Sequence, residues 1–237
     1  MADPPRKRTV SVAQNRVVAP SVRLLTFSLE PTDQLHFDPG QFVTFYVPRS
    51  GTTVTRSYSI CSSPDRESDF DLCIKQVDGG FVSTYLSARS PGERQNVIAP
   101  LGRFLLRDPE SHPVIFASTG TGIAPFIPML ERLERMRPGH PRWLFSGCRH
   151  KEDLLFHPEL SAMGARDPSF HYVPVLSRPP PTWSGASGHL QDSLRTMVPT
   201  LAGFHLYICG VPQMVAEVQA LAQELGCPRD QTFIERY

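Results

Sequence analysis

Apolar and polar positions follow one rhythm in the first part of the chain and another in the second. From Arg16 to Leu106, apolar residues come in short, partly alternating runs, as in Val22 to Phe27, Gln41 to Val47 and Phe70 to Lys75. These runs are rich in β-branched and aromatic residues. They are broken by Pro39-Gly40, Ser50-Gly51, Gly79-Gly80 and Pro91-Gly92, the punctuation of strands joined by tight turns. Many short strands at close spacing predict an antiparallel β-barrel, with one short helix over Ser83 to Ala88. Beyond Asp108-Pro109, strands and helices alternate. Strands are predicted at Val114 to Ala117, Trp143 to Ser146, Phe170 to Leu176 and His205 to Cys209, with an edge strand ending the chain. Helices are predicted at Ala124 to Met136, near Asp153 to Leu160, and at Pro212 to Leu225. This alternation predicts a parallel sheet covered on both faces, an α/β Rossmann-like layer. The chain thus reads as two domains, a barrel over residues 1–108 and an α/β domain over residues 109–237.

Composition narrows the function classes. Hydrophobic residues make up 40% and charged residues 20% of the 237, which supplies a packed core for both halves. Lys and Arg number 24 against 23 Asp and Glu, a net charge of +1. No global field therefore draws the chain to nucleic acid or to an anionic membrane, and neither is an expected partner. The cysteines Cys61, Cys73, Cys148, Cys209 and Cys227 form no C-x-x-C and lack the spacing of a zinc or iron–sulfur cradle. The eight histidines never form H-x-x-x-H, so no protein-bound metal is expected. Met1 to Thr9 is polar and basic, without the apolar stretch of a signal peptide. No run approaches the ~18 apolar residues of a membrane span. An odd cysteine count without a signal peptide points to a reducing, cytoplasmic compartment.

Two segments carry chemistry. Gly120-Thr121-Gly122-Ile123-Ala124-Pro125 follows a buried strand ending near Thr119 and leads into a helix. Glycines let the main chain approach a pyrophosphate, and a helix start offers free N–H groups. Pro125 suits the first turn, where a missing N–H costs nothing. Alone, the segment is equally a tight structural turn, and Pro125 stands where the ordinary dinucleotide fingerprint has its third glycine. Arg56-Ser57-Tyr58-Ser59 closes a strand of the first half. It offers a guanidinium fork for phosphate, an aromatic face and a hydroxyl, but alone it reads better as an ordinary half-exposed strand.

In order along the chain, these segments and others resemble the ferredoxin–NADP reductase family. Arg56 to Ser59 is similar to its R-x-Y-S flavin motif and Gly120 to Pro125 to its G-x-G-x-x-P nucleotide motif. Leu72-Cys73-Ile74-Lys75 resembles the next barrel strand, Gly80-Phe81-Val82-Ser83 the G-x-x-S turn, and Pro100-Leu101-Gly102-Arg103-Phe104 the P-x-G-x-F segment. Tyr207-Ile208-Cys209-Gly210 resembles the late Cys-Gly strand end, and Glu235-Arg236-Tyr237 a chain ending in Glu-x-Tyr. The resemblance spans nearly the whole chain.

It implies a set of roles. Arg56 contacts the flavin pyrophosphate, Ser57 is a further flavin-binding residue, Tyr58 packs on one face of the isoalloxazine, and Ser59 hydrogen-bonds near N5. Lys75 adds charge near the phosphates of the nicotinamide dinucleotide, while Leu72 and Ile74 line the flavin cofactor. Gly80, Phe81, Val82 and Ser83 bind its pyrophosphate, which implies FAD rather than FMN. Thr119, Gly120, Thr121, Gly122 and Pro125 cradle the nicotinamide dinucleotide, with Cys209 and Gly210 beside the nicotinamide. A lone cysteine at a strand end is by type a small buried hydrophobe, and the implied part of Cys209 is to shape geometry, not to form a bond. Glu235, by type a surface carboxylate, takes a part in charge balance or proton supply. Tyr237 covers the other flavin face. Arg149 after the second strand of the α/β half and Ser177-Arg178 after the third imply a 2′-phosphate, hence NADP, with NAD possible. His189 stands where a permanent cation would strengthen that assignment. The implied activity is hydride transfer between NADPH and FAD, with single electrons passing to or from a ferredoxin- or flavodoxin-like carrier. Alternatives are an NADH-preferring reductase component of an oxygenase or cytochrome system, and a non-catalytic flavin-bearing redox sensor or subunit.

Overall fold

The computed structural model describes residues 2–107 and 112–236; the boundary placed at Asp108-Pro109 and the terminal Tyr237 lie outside them. The chain divides into two compact units, Met1–Leu106 with Ala124–Arg132, and Arg107–Ile123 with Leu133–Tyr237.

The first unit contains β1 (Arg6–Ala19), β2 (Val22–Leu29), β3 (Phe42–Arg49), β4 (Thr52–Ser59), β5 (Asp69–Lys75), α1 (Phe81–Ser87) and β6 (Arg94–Leu101). The strands lie in the order β4-β3-β6-β1-β2-β5, each pair antiparallel. A bridge between Ile60, just past β4, and Leu72 of β5 brings the two edge strands together, so the sheet closes on itself as a barrel. Strand side chains alternate between faces, and the inward set supplies the core. Phe27 lies 5.1 Å from Phe45 and 5.7 Å from Phe70, ring centre to ring centre, with Val10, Val43, Leu25 and Leu72 around them. Ala124–Arg132 packs with this unit: the Phe126 ring lies 6.0 Å from Phe104, and Arg132 pairs with Asp38 at 3.2 Å.

The second unit follows the alternation read from the sequence. It contains β7 (Val114–Thr119), α2 (Phe126–Met136, shared with the first unit), β8 (Arg142–Cys148), α3 (His157–Arg166), β9 (Phe170–Leu176), β10 (Ala186–Ser187), α4 (Leu190–Met197), β11 (His205–Gly210), α5 (Pro212–Glu224) and β12 (Thr232–Arg236). The sheet runs β10-β9-β8-β7-β11-β12, with all pairs parallel. β11 is buried along its whole length and β7 along all but its last residue, as expected of central strands covered on both faces. Among the described residues, no helix is long and apolar enough to cross a membrane.

Several elements differ from the sequence reading. β1 starts at Arg6, ten residues before the point where the alternation becomes legible, because the buried Arg8 interrupts the apolar pattern. Its guanidinium is held inside by Asp3 and Asp33, and a buried charge is tolerated only when so paired. α3 starts later than expected: Lys151–Asp153 form a 3₁₀ turn, and Phe156 has a left-handed φ of 55° just before the helix. β10 and α4 were not anticipated, since β10 has two residues and α4 buries only Leu190 and Leu194.

Candidate functional site

In the barrel, the flavin-motif residues share one side. Arg56, Ser57, Tyr58 and Ser59 end β4, whose outer edge is joined to β5 only near the Ile60–Leu72 bridge. α1 follows β5 and packs against both strands. β4 is mostly exposed, as an edge presenting a binding surface must be. Ser57 Oγ lies 2.9 Å from Thr44 Oγ1 across the ladder. Arg56 donates from Nη1 to Thr55 O at 2.8 Å and has no acidic partner among the described residues, leaving most of its fork to solvent. Tyr58 stands edge-on to Phe45 with centroids 5.9 Å apart, and burial raises its hydroxyl to about 12. It is therefore a neutral aromatic surface at any working pH.

Leu72 and Ile74 are fully buried in the barrel core, whereas Lys75 is exposed. What Leu72 and Ile74 offer a cofactor on this side is main chain. The turn before α1 is built for close approach. Gly79 is left-handed at φ 71°, and a Cβ on Gly80 would fall 2.7 Å from Ser83 Oγ and 2.9 Å from Val77 O. Ser83 Oγ donates to Gly80 O at 3.1 Å and accepts the Val77 N–H at 3.3 Å. The hydroxyl thus braces the turn, while the first-turn N–H groups of Phe81, Val82 and Ser83 have no acceptor within the helix. The sequence reading missed Arg49, whose guanidinium lies 4.7 Å from the centre of the Phe81 ring; no motif marks it.

In the parallel sheet, the chain proceeds from β7 outward to β8, β9 and β10, then returns to the other side of β7 as β11 and β12. The reversal lies between β7 and β11, and ligands of open α/β sheets bind outside the carboxyl ends of the strands at such a point. Thr119, Gly120, Thr121, Gly122, Cys209 and Gly210 all converge there. Gly120 is left-handed at φ 54°, starting a 3₁₀ turn over Gly120–Ile123 that Pro125 follows ahead of α2. A Cβ on Gly122 would sit 2.2 Å from Cys209 O, and one on Gly210 would sit 2.2 Å from Thr119 Oγ1. Two main chains therefore approach as closely as glycine permits. Thr119 Oγ1 accepts the N–H of Val211 at 3.2 Å, a partner the sequence reading missed because nothing local distinguishes it.

Cys209 lies between Ser118 of β7 and Glu235 of β12 in the ladder. Burial, and then the charge of Glu235, push its thiol well above the usual range. It stays protonated and is no thiolate nucleophile. On the far side of β7, the ends of β8 and β9 are tied together. Ser177 N–H donates to Cys148 O at 3.0 Å and Arg178 N–H to Arg149 O at 2.9 Å. Arg149, Ser177 and Arg178 are exposed, and neither guanidinium has an acidic partner among the described residues. The structure thus gathers the barrel residues on one side of their unit and the remaining described residues along the carboxyl edge of the sheet; Tyr237 lies outside the described residues. No cluster of three or more His, Cys, Asp or Glu suited to a metal occurs among the described residues.

Both halves match known families: the oxidoreductase FAD-binding domain over residues 9–105 and the oxidoreductase NAD-binding domain over residues 116–220. A ferredoxin–NADP reductase B of Sorangium cellulosum (strain So ce56) is 37% identical over 244 residues, covering 100% of this chain and 98% of its own. The electron transfer component of a toluate 1,2-dioxygenase from Pseudomonas putida is 29% identical and matches 96% of this chain, which spans 66% of that protein. Among solved structures, a cytochrome P450 reductase from Amycolatopsis superposes with a TM-score of 0.91 at 26% identity, covering 98% of this chain and 70% of its own. The chain belongs to the ferredoxin–NADP reductase family and is a flavin-dependent NAD(P)H oxidoreductase with FAD-binding and NAD(P)-binding domains.

Proposed function

We propose that this oxidoreductase uses NADPH and passes electrons singly to a ferredoxin- or flavodoxin-like carrier in the cytoplasm. The observation that carries the coenzyme choice is the pair of exposed arginines, Arg149 and Arg178, tied through their main chains with Ser177 beside them. A bare ribose is usually read by a carboxylate, whereas a 2′-phosphate needs cations and hydroxyls. When bound, FAD supplies an atom that accepts hydride and a ring that releases the two electrons one at a time. The chain binds and orients. The exposed fork of Arg56 and the first turn of α1 hold phosphate, Tyr58 supports the flavin ring, and Ser59 donates near it. The glycines at 120, 122 and 210 let the nicotinamide dinucleotide lie against main chain. Cys209 fixes the spacing beside the nicotinamide, and Glu235 balances charge there.

The relatives that serve oxygenases favour a second reading, an NADH-preferring reductase component. Steady-state kinetics with NADPH and NADH, using ferredoxin and then an artificial dye as acceptor, separate the two. A kcat/KM that favours NADPH, together with reduction of ferredoxin, supports the proposal. A preference for NADH with no ferredoxin reduction contradicts it.

A further inference from the structure

The barrel closes where Ile60, just past β4, bridges Leu72 of β5, and the next rung is held by the Cys61 N–H donating to Asp71 O at 2.9 Å. Ile60 and Leu72 are fully buried in the barrel core. Their chain neighbours Cys61 and Cys73 turn to the opposite face of the closure, because side chains alternate along a strand. There the two sulfurs meet, with Cys61 Sγ 3.8 Å from Cys73 Sγ. Both residues are free thiols and both are buried, at 4% and 5% exposure. The Cys61 thiol also donates to Asp71 O at 3.3 Å, while the Asp71 N–H donates to Ser62 Oγ at 3.0 Å, so the main chain around the pair is fixed. A thiol packed only as a small apolar side chain needs no second sulfur. Two cysteines from separate elements in sulfur contact are the arrangement from which a bond of about 2 Å forms. Burial, and then the neighbouring Cys73 thiol, push the Cys61 thiol well above its usual range. The site thus disfavours a charged sulfinate and accommodates a neutral S–S bond.

We propose that Cys61 and Cys73 are a redox-active pair that a hydroperoxide converts into a disulfide, joining β5 covalently to the segment after β4. The two thiols give up two protons and two electrons. One sulfur attacks a peroxide oxygen and becomes a sulfenic acid as the other oxygen leaves in water or an alcohol. The second sulfur then forms the S–S bond by displacing the hydroxyl, which leaves as water. A thiol reductant reverses the bond. Where thiols are kept reduced, such a bridge is transient, which suits a sensor of oxidant and not a permanent staple. Cys61 follows Ser59 by two residues and Cys73 lies between Leu72 and Ile74, so the bond locks the strand ends assigned to the flavin. That consequence rests on the flavin roles proposed for Arg56 to Ser59; the bridge itself does not.

The test is treatment of the flavin-loaded protein with hydrogen peroxide, then denaturation, labelling with N-ethylmaleimide and peptide mapping by mass spectrometry. The reduced chain takes five labels, one for each cysteine. The treated wild type should take three, on Cys148, Cys209 and Cys227, with Cys61 and Cys73 in cross-linked peptides that dithiothreitol separates. Five labels after prolonged treatment, a different pairing, or a sulfinate on Cys61 or Cys73 would overturn the pair. The lock is read separately, from the fluorescence of FAD released in denaturant. Release should slow about tenfold in the bridged wild type, because a closed loop opposes opening of the barrel edge. Dithiothreitol should restore the fast release, a control that needs no variant, and Cys73→Ser should release FAD at one rate with or without peroxide. Equal release before and after bridging, or the same slowing in Cys73→Ser, would overturn the lock.

Discussion

At the scale of the residue, Arg178 is where coenzyme choice can be read directly. Arg178→Ala removes a charge-assisted donor worth about 1.5–3 kcal/mol. The KM for NADPH should rise at least about tenfold, with the KM for NADH little changed; equal effects on the two would remove Arg178 from the pocket. Cys209 gives a complementary expectation. Its buried thiol is held protonated by its surroundings and by Glu235, and a thiol without thiolate character does not alkylate readily. Iodoacetamide at neutral pH should leave Cys209 unmodified by mass spectrometry, and Cys209→Ala should lower kcat more than it raises the NADPH KM. Rapid alkylation of Cys209 that NADP⁺ prevents would contradict this. The residue roles were the part of the site least legible in the sequence. Arg56, Tyr58 and Gly122 could be named from motifs, but the main-chain contact between Gly122 and Cys209 joins residues 87 positions apart, and no local pattern encodes it.

Among the elements, the turn after β7 sets the tightest constraint. Gly122→Ala places a methyl group 2.2 Å from Cys209 O, and overpacking of this kind costs about 1–3 kcal/mol. The variant should bind NADP⁺ far more weakly and melt earlier, yet retain its flavin. Unchanged NADP⁺ affinity would show that the turn is not the cradle. At the opposite end of β8, the buried Arg142 pairs with Asp167 at 2.7 Å. The Ser169 hydroxyl, with the Ser169 N–H and the guanidinium, lowers the Asp167 carboxyl to about 2. A carboxyl lowered on folding stabilises the protein above its unfolded range, near pH 3.9, and that contribution fades as the pH falls toward 2. Asp167→Asn should therefore lower the melting temperature at pH 6, with the gap to wild type narrowing below about pH 4; a constant gap would contradict the linkage. Elements with strong periodicity, such as β3, β9 and α5, were legible because one face carries their burial. β1 and α4 were not: the first is interrupted by a buried arginine satisfied from Asp3 and Asp33, and the second is anchored by only two leucines.

For the molecule as a whole, the two-part architecture was legible because a barrel and a parallel sheet demand different periods, and each unit carries its own core. The barrel unit holds the residues proposed for the flavin and the α/β unit all but Lys75 and Pro125 of those proposed for the coenzyme, so one observation that requires both is the most direct test of the account. That observation is the visible spectrum of the purified protein under anaerobic conditions, taken before NADPH, after NADPH, and after an excess of oxidised ferredoxin. The account predicts a yellow protein that bleaches with NADPH and regains its colour with ferredoxin. A colourless protein, or a yellow one that NADPH leaves unchanged, would contradict it.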